Sequence, residues 1–272
     1  KSYEIPEASR TSKGRNIINL LNMQKDEKIA TVLIVDSFES EDSIVLCTKR
    51  GIVKKSLISQ YKNHRKGGII GINIDEGDSV LKAMLAKPHD HLLILTNQGK
   101  GLRFACDQLR DQGRATRGVR GIRLKPKDVV VNMLVVDDSR LLLICGSNGL
   151  GIRTKFSAFL PNGGNLDGVE DTSPRKRGGQ GVTAMNTESV CDALSVGQDS
   201  EILMLSKRGQ AVRCNVTNIR ETNRGSKGVK LIGLNDKDSL VAVSEVVMLD
   251  EGNDTDSIDI EQEGETVALD QE

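Results

Sequence analysis

Five short basic turns, each punctuated by glycine and each running into an aliphatic stretch, recur along this chain. They read Ser12-Lys13-Gly14-Arg15-Asn16-Ile17-Ile18, Arg65-Lys66-Gly67-Gly68-Ile69-Ile70, Thr116-Arg117-Gly118-Val119-Arg120-Gly121-Ile122, Gly179-Gln180-Gly181-Val182 and Ser226-Lys227-Gly228-Val229-Lys230-Leu231-Ile232. The glycines at 14, 67, 118, 181 and 228 lie 53, 51, 63 and 47 residues apart. A period of about 50 residues is the mark of a repeat architecture. Each unit delivers cations at one repeated position, which predicts an extended surface for a long polyanion rather than a single pocket.

A second repeat interleaves with the first. Aliphatic runs enter a glycine turn at Gly51, Gly99, Gly149 and Gly209, and a basic residue follows four places later: Lys55, Arg103, Arg153 and Arg213. Short aliphatic runs joined by turns such as Asn97-Gln98-Gly99 or Ser147-Asn148-Gly149 read as β-hairpins, because glycine supplies the positive φ of a tight turn. A single such lysine would read as a solvated strand edge. Its return in all four hairpins adds Lys55, Arg103, Arg153 and Arg213 to the expected polyanion-binding set, beside Lys13, Arg15, Arg65, Lys66, Arg117, Arg120, Arg175, Lys176, Arg177, Arg224, Lys227 and Lys230.

Composition narrows the polyanion. Aromatic residues make up 2% of the chain and there is no Trp, which disfavours a WD-type propeller and the stacking platforms of single-strand binding. A duplex backbone needs charge and hydrogen-bond donors instead. The net charge of zero hides an asymmetry: residues 250–272 carry ten acidic and no basic residues, leaving 28 acidic against 38 basic in residues 1–249. The reading is a basic body over 1–249 followed by an acidic tail over 250–272, disordered for want of large apolar residues.

Other chemistry is sparse. Cys47 and Cys145 stand where the other hairpins carry Leu95 and Leu205, so they read as small buried hydrophobes. Cys106, Cys191 and Cys214 lack ligand spacing, which argues against zinc or a disulfide framework. No Walker loop, HExxH or GxSxG occurs, and the His89-Asp90-His91 run reads as a solvated loop. Tyr3 and Tyr61, the two tyrosines, have no evident partner base. No catalytic residue is assigned to this segment. With no long apolar stretch, the chain reads as cytoplasmic, without a membrane partner.

Short strands with regular turn signals predict an all-β fold; a short helical turn is expected over 54–61, and an insertion over 161–174. Residues 1–14 resemble residues 54–67 without a hairpin of their own, so the chain reads as cut from a longer protein in mid-unit.

The segment Tyr3-Glu4-Ile5-Pro6-Glu7-Ala8-Ser9-Arg10-Thr11-Ser12-Lys13-Gly14-Arg15, the run Gly118-Val119-Arg120-Gly121-Ile122-Arg123-Leu124 and the hairpins at Gly51 and Gly149 resemble the C-terminal domain of DNA gyrase A subunits, over residues 1–249 and repeat by repeat. That resemblance implies a propeller-like β-pinwheel of four-stranded blades, six in the family with the first truncated here, that wraps double-stranded DNA around a basic rim. It implies no cofactor in this segment. ATP and Mg²⁺ would belong to the holoenzyme, an ATP-hydrolysing topoisomerase whose other members are the gyrase B subunit, plus a second copy of the gyrase A chain, as partners. The family's seven-residue box lies upstream, and Arg175-Lys176-Arg177-Gly178-Gly179-Gln180-Gly181 looks like it in a later blade. The alternatives are the corresponding domain of topoisomerase IV, or a propeller-like protein-interaction scaffold, which would display aromatic and apolar anchors.

Overall fold

The aliphatic runs form strands because their β-branched and leucine side chains find an apolar layer on one or both faces. The computed structural model describes residues 7, 9, 12–14, 23, 27–63, 68–166, 169–170 and 172–246. In chain order the strands are β1 (Ser43–Thr48), β2 (Ile52–Leu57), β3 (Val80–Ala86), β4 (His91–Thr96), β5 (Lys100–Ala105), β6 (Val119–Arg120), β7 (Val130–Val135), β8 (Leu141–Gly146) and β9 (Leu150–Lys155). They continue with β10 (Asn165–Leu166), β11 (Val169–Glu170), β12 (Val182–Thr183), β13 (Val190–Val196), β14 (Glu201–Ser206), β15 (Ala211–Asn215), β16 (Val229–Lys230) and β17 (Leu240–Val246). The fold is all-β, as expected.

The sheets are blades that exchange strands. Their orders are β3-β1-β2-β6, β12-β5-β4-β7, β13-β8-β9-β16 and β15-β14-β17, all antiparallel. After the second, third and fourth hairpins the chain runs back to the preceding blade, adds a two-residue strand to it, and returns to line its own hairpin. Thus β6 follows the second hairpin yet pairs with β2 of the first, while β7 pairs with β4. β12 and β16 repeat this on β5 and β9. The fourth blade has three strands among the described residues.

Turn chemistry repeats with the topology. Gly51, Gly99, Gly149 and Gly209 all sit at φ between +71° and +88°, the left-handed region that disfavours a Cβ. Thr48, Thr96 and Ser206 hydroxyls accept from the amides of Ile52, Lys100 and Gln210, and the Asn148 side-chain oxygen does the same for Leu150. A carboxylate ties three of the four turns to the next strand: Asp78 accepts from Arg50 N–H and Ser79 N–H, Asp128 from Gln98 and Val129, Asp238 from Arg208 and Ser239.

The core lies between blades. Val45, Cys47 and Val53 of the first blade pack on Leu92, Ile94, Leu102 and Phe104 of the second. Leu93 and Leu95 meet Leu142, Ile144 and Phe156, and Leu143 and Cys145 meet Ile202 and Met204. Cys47 and Cys145 are buried as expected, and burial pushes the Cys47 thiol up to about 12. Leu205, their counterpart in the fourth blade, departs from the pattern: it is 42% exposed and Leu203 44%, because no further sheet among the described residues covers that face.

Two other expectations change. Residues 54–61 are not a helical turn throughout: β2 extends to Leu57, and a single 3₁₀ turn follows at Ile58–Tyr61. The insertion holds a 3₁₀ turn (Pro161–Gly164) and a small hairpin, β10 with β11. The acidic tail lies outside the described residues.

The exchanged strands explain the glycine period of the basic turns. Gly118, Gly181 and Gly228 have φ of +90°, +70° and +87°, and a Cβ there would meet the carbonyl oxygens of Val53, Gly101 and Gly151 at 2.6, 2.4 and 2.5 Å. Gly209 has φ +88° with nothing within 4 Å. Gly181→Ala should therefore lower stability by well over ~2 kcal/mol, combining strain with a backbone clash, whereas Gly209→Ala should cost about 1 kcal/mol. Thermal unfolding of the two variants measures the difference; equal losses would mean that close strand approach does not set the glycine requirement.

Candidate nucleic-acid interface

The basic turns are built onto one another in a repeating pattern. The residues one and two places after Gly118, Gly181 and Gly228 pair with the neighbouring hairpin in the same register: Val119 and Arg120 with Val53 and Ile52, Val182 and Thr183 with Gly101 and Lys100, Val229 and Lys230 with Gly151 and Leu150. The third residue donates to the hairpin glycine: Gly121 to Gly51 O (2.7 Å), Ala184 to Gly99 O (2.8 Å), Leu231 to Gly149 O (2.9 Å). Successive turns also bond directly. Asn73 donates to Thr116 O (2.9 Å), Arg123 to Gly179 O (2.8 Å) and Asn186 to Ser226 O (2.9 Å). This register places Gly68 (φ +77°) at the glycine position of the second turn, one residue after the Gly67 expected from spacing; Gly67 lies outside the described residues.

The predicted cations within the described residues divide into an exposed set, a half-buried set and a set turned inward. Lys13, Arg117, Arg120, Lys176, Arg213, Lys227 and Lys230 are exposed. Arg117 pairs with Asp75 and Arg213 with Glu201, surface pairs of the kind worth little in water. Arg175, Arg177 and Arg224 are half-buried and bind carbonyls: Arg175 those of Phe159 (3.2 Å) and Leu160 (3.3 Å), Arg177 those of Arg120 and Gln108, Arg224 those of Ala158 (2.7 Å) and Thr183 (3.2 Å). Arg15, Arg65 and Lys66 lie outside the described residues.

Three of the four hairpin cations point inward. Lys55 is buried with its Nζ 3.3 Å from Asp111, and Arg153 donates to Val216 O at 3.0 Å. Arg103 is 2% exposed, bidentate to Asp138 at 2.8 and 2.6 Å, with its Nε 3.0 Å from His91 Nδ1. At two of the three the loop leaving the next hairpin covers the position: parallel bridges join Lys55 to Asp111 and Arg153 to Glu221. His91 is therefore not a solvated loop residue: it opens β4 beside Arg103, and His89 alone of the two is exposed.

A further set of cations escaped the sequence pattern. Arg123, Lys125, Lys127 and Lys237 are exposed, and Lys127 and Lys237 adopt φ of +64° and +61° where the first blade has Gly77. The signal was the aspartate that follows each, Asp78, Asp128 or Asp238, at a constant place before the inner strand.

Known proteins share this arrangement. A family model described as "DNA gyrase C-terminal domain, beta-propeller" matches residues 1–36, 42–87, 90–137, 140–163, 173–189 and 200–246. The DNA gyrase A protein of Mycolicibacterium smegmatis is 35% identical over 250 residues, which cover 90% of this chain and 28% of that relative. The chain thus spans less than a third of the curated relative it matches. A solved structure of a DNA gyrase A C-terminal domain superposes with a TM-score of 0.72 at 29% identity, covering 87% of this chain and 76% of the other. The C-terminal domain of a DNA topoisomerase IV gives 0.74 at 22% identity, covering 86% and 70%, a likeness of fold alone. Among the described residues no helix is long and apolar enough to cross a membrane.

Burial, with Arg103 beside it, holds the His91 imidazole below its usual range, so the neutral ring accepts from Arg103. The folded chain then resists protonation that the unfolded chain accepts near pH ~6.5. The stabilisation is complete above about pH 6.5 and is lost as pH falls through the lower folded value. Urea midpoints should fall across this window for the native chain and change less for His91→Asn; parallel curves would remove His91 from the acid response.

Proposed function

The chain belongs to the DNA gyrase C-terminal domain family, and on that basis we propose that it binds duplex DNA and bends it around the rim made by its basic turns. The observation that supports this reading is the hydrogen-bonded succession from the second turn to the fifth, along which the cations of consecutive blades would form one path. Lys13, Arg117, Arg120, Lys176, Arg213, Lys227 and Lys230 are assigned to phosphates, with Arg15, Arg65 and Lys66 added by their place in the repeat. Asp75 and Glu201 are displaced by phosphate as DNA docks. Lys55, Arg103, Arg153, Arg175, Arg177 and Arg224 act one step back, holding loops and turns in place.

The physics of the path favours curvature. Cations spread around a rim engage together only if the duplex follows it, and bending 20–30 bp by 40–90° costs roughly 1–6 kcal/mol, offset by contacts at each blade. Lysine and arginine on phosphates position the duplex without reading its sequence. In the whole gyrase A chain, wrapping would present a neighbouring duplex segment for double-strand passage and bias it toward negative supercoiling. That activity, with its catalytic residues, ATP, Mg²⁺, the gyrase B subunit and the second gyrase A chain, is assigned to parts outside this chain, in the cytoplasm.

About two cations per turn would neutralise on the order of ten phosphates, so affinity should fall roughly 10³–10⁵-fold between 50 and 200 mM salt. Arg117→Glu combined with Arg120→Glu should lengthen the end-to-end distance of bound DNA, read by FRET, more than it weakens first contact. A shallow salt dependence, strong preference for one sequence, or weakened binding at unchanged end-to-end distance would overturn the wrapping path.

The tail supplies a second test. Ten carboxylates within residues 250–272 are tethered to a basic body at an effective concentration of about a millimolar, where they compete with DNA most strongly at low salt. Deleting 250–272 should tighten binding at about 50 mM salt and change it little at about 200 mM. Equal affinities at the lower salt would leave the tail as a solubility appendage.

A further inference from the structure

The joints between successive basic turns are alike at two places and different at a third. Where the fourth turn meets the strand of the third, Gly178 N–H donates to Gly121 O (2.8 Å) and the Arg177 guanidinium to Arg120 O. Where the fifth meets the fourth, Gly225 N–H donates to Ala184 O (2.6 Å) and Arg224 to Thr183 O (3.2 Å). Gly178 and Gly225 both adopt φ +81°. The third turn carries Ala115 at that position, three residues before Gly118. Ala115 is not among the positive-φ residues, as its Cβ disfavours that conformation.

The carbonyl equivalent to Gly121 O and Ala184 O is that of Gly71, and here it accepts from the side chain of Lys54. The same ammonium reaches Arg114 O and, at 3.2 Å, Gly113 O. Lys54 is fully buried on β2, where the other hairpins carry Leu102, Ile152 and Val212. An ammonium has three donors and no acceptor, so three carbonyls satisfy it. Arg114 occupies the place of Arg177 and Arg224. Its side chain is half-buried and, among the described residues, makes no hydrogen bond of the kind those two make.

We infer that Lys54 is a positioning residue for the third basic turn: its ammonium replaces the glycine amide and the arginine clamp used at the other joints, which leaves Arg114 free as an additional phosphate contact. The phosphate role rests on the DNA-wrapping reading; the clamp does not. Burial, with the charge of Arg114 nearby, pulls Lys54 down to about 8, so it remains mainly protonated at neutral pH.

The test uses Lys54→Leu, the residue type at position 102, alone and with Ala115→Gly, beside Arg114→Ala. Amide exchange over residues 113–118 should quicken at least about tenfold in Lys54→Leu, the scale of one lost charge-assisted hydrogen bond, while residues 175–181 and 224–228 keep their rates. Adding Ala115→Gly should return most of that protection by allowing the backbone bond the other joints use. Unchanged exchange at 113–118, equal acceleration at all three turns, or no recovery with Ala115→Gly would overturn the clamp. Arg114→Ala should reduce the salt slope of DNA binding by about one ion without altering exchange; an unchanged slope, where Arg117→Glu lowers it, would overturn the Arg114 contact. A native chain with no salt dependence would refute DNA wrapping itself, and the exchange data would still decide the role of Lys54.

Discussion

Close backbone approach at the exchanged strands underlies both the assembly of the blades and the placement of their charges. Each two-residue strand lies so near the neighbouring hairpin that its preceding glycine has no room for a Cβ, with carbonyl oxygens 2.4–2.6 Å from where that atom would stand. That approach lets the following residue bond to the hairpin glycine and fixes the register at every joint. The blades therefore interlock through backbone bonds as well as through apolar packing. The same strand brings the adjacent cations to the outer edge of a blade that is not its own.

The interlock also sorts the charges. A cation on the exchanged strand itself, such as Arg120 or Lys230, projects from an outermost strand and stays exposed. A cation on the hairpin strand beneath turns inward and meets a carboxylate from a later segment: Lys55 meets Asp111 of the loop leaving the second hairpin, and Arg103 meets Asp138 of the β7–β8 turn. Removing one partner of such a pair leaves a buried charge uncompensated, which is far costlier than losing a surface pair. Arg177 and Arg224 lie between these cases, with their guanidinium groups engaged by carbonyls of the preceding exchanged strands.

Much was legible because turns are local. The glycines at 51, 99, 149 and 209 announced hairpins, since positive φ is a property of the residue and its immediate neighbours. Cys47 and Cys145 read as buried because leucine replaces them at equivalent positions. The helical turn expected over 54–61 forms only over 58–61, for a nonlocal reason: β2 is flanked by β1 and β6, and sheet pairing extends the chain as far as Leu57. The choice of Gly67 over Gly68 failed similarly, since two adjacent glycines are equivalent until a register with the neighbouring blade selects one.

Local conformational preference and composition were enough to specify the repeat, the all-β character, the hairpin turns and the segregation of basic body from acidic tail. It took the packing of distant segments to settle that each basic turn lends its strand to the preceding blade, that Leu205 lies open while Cys47 is closed, and that Arg103 is sealed against Asp138 while Arg120 faces solvent. The physical reason is that periodicity specifies which residues are equivalent along a chain, whereas exposure and pairing depend on what other segments are laid over them. Lys54 is the sharpest instance. Along the chain it is one more basic residue beside Lys55, and its function as a donor to three carbonyls exists only once residues 71, 113 and 114 are brought around it.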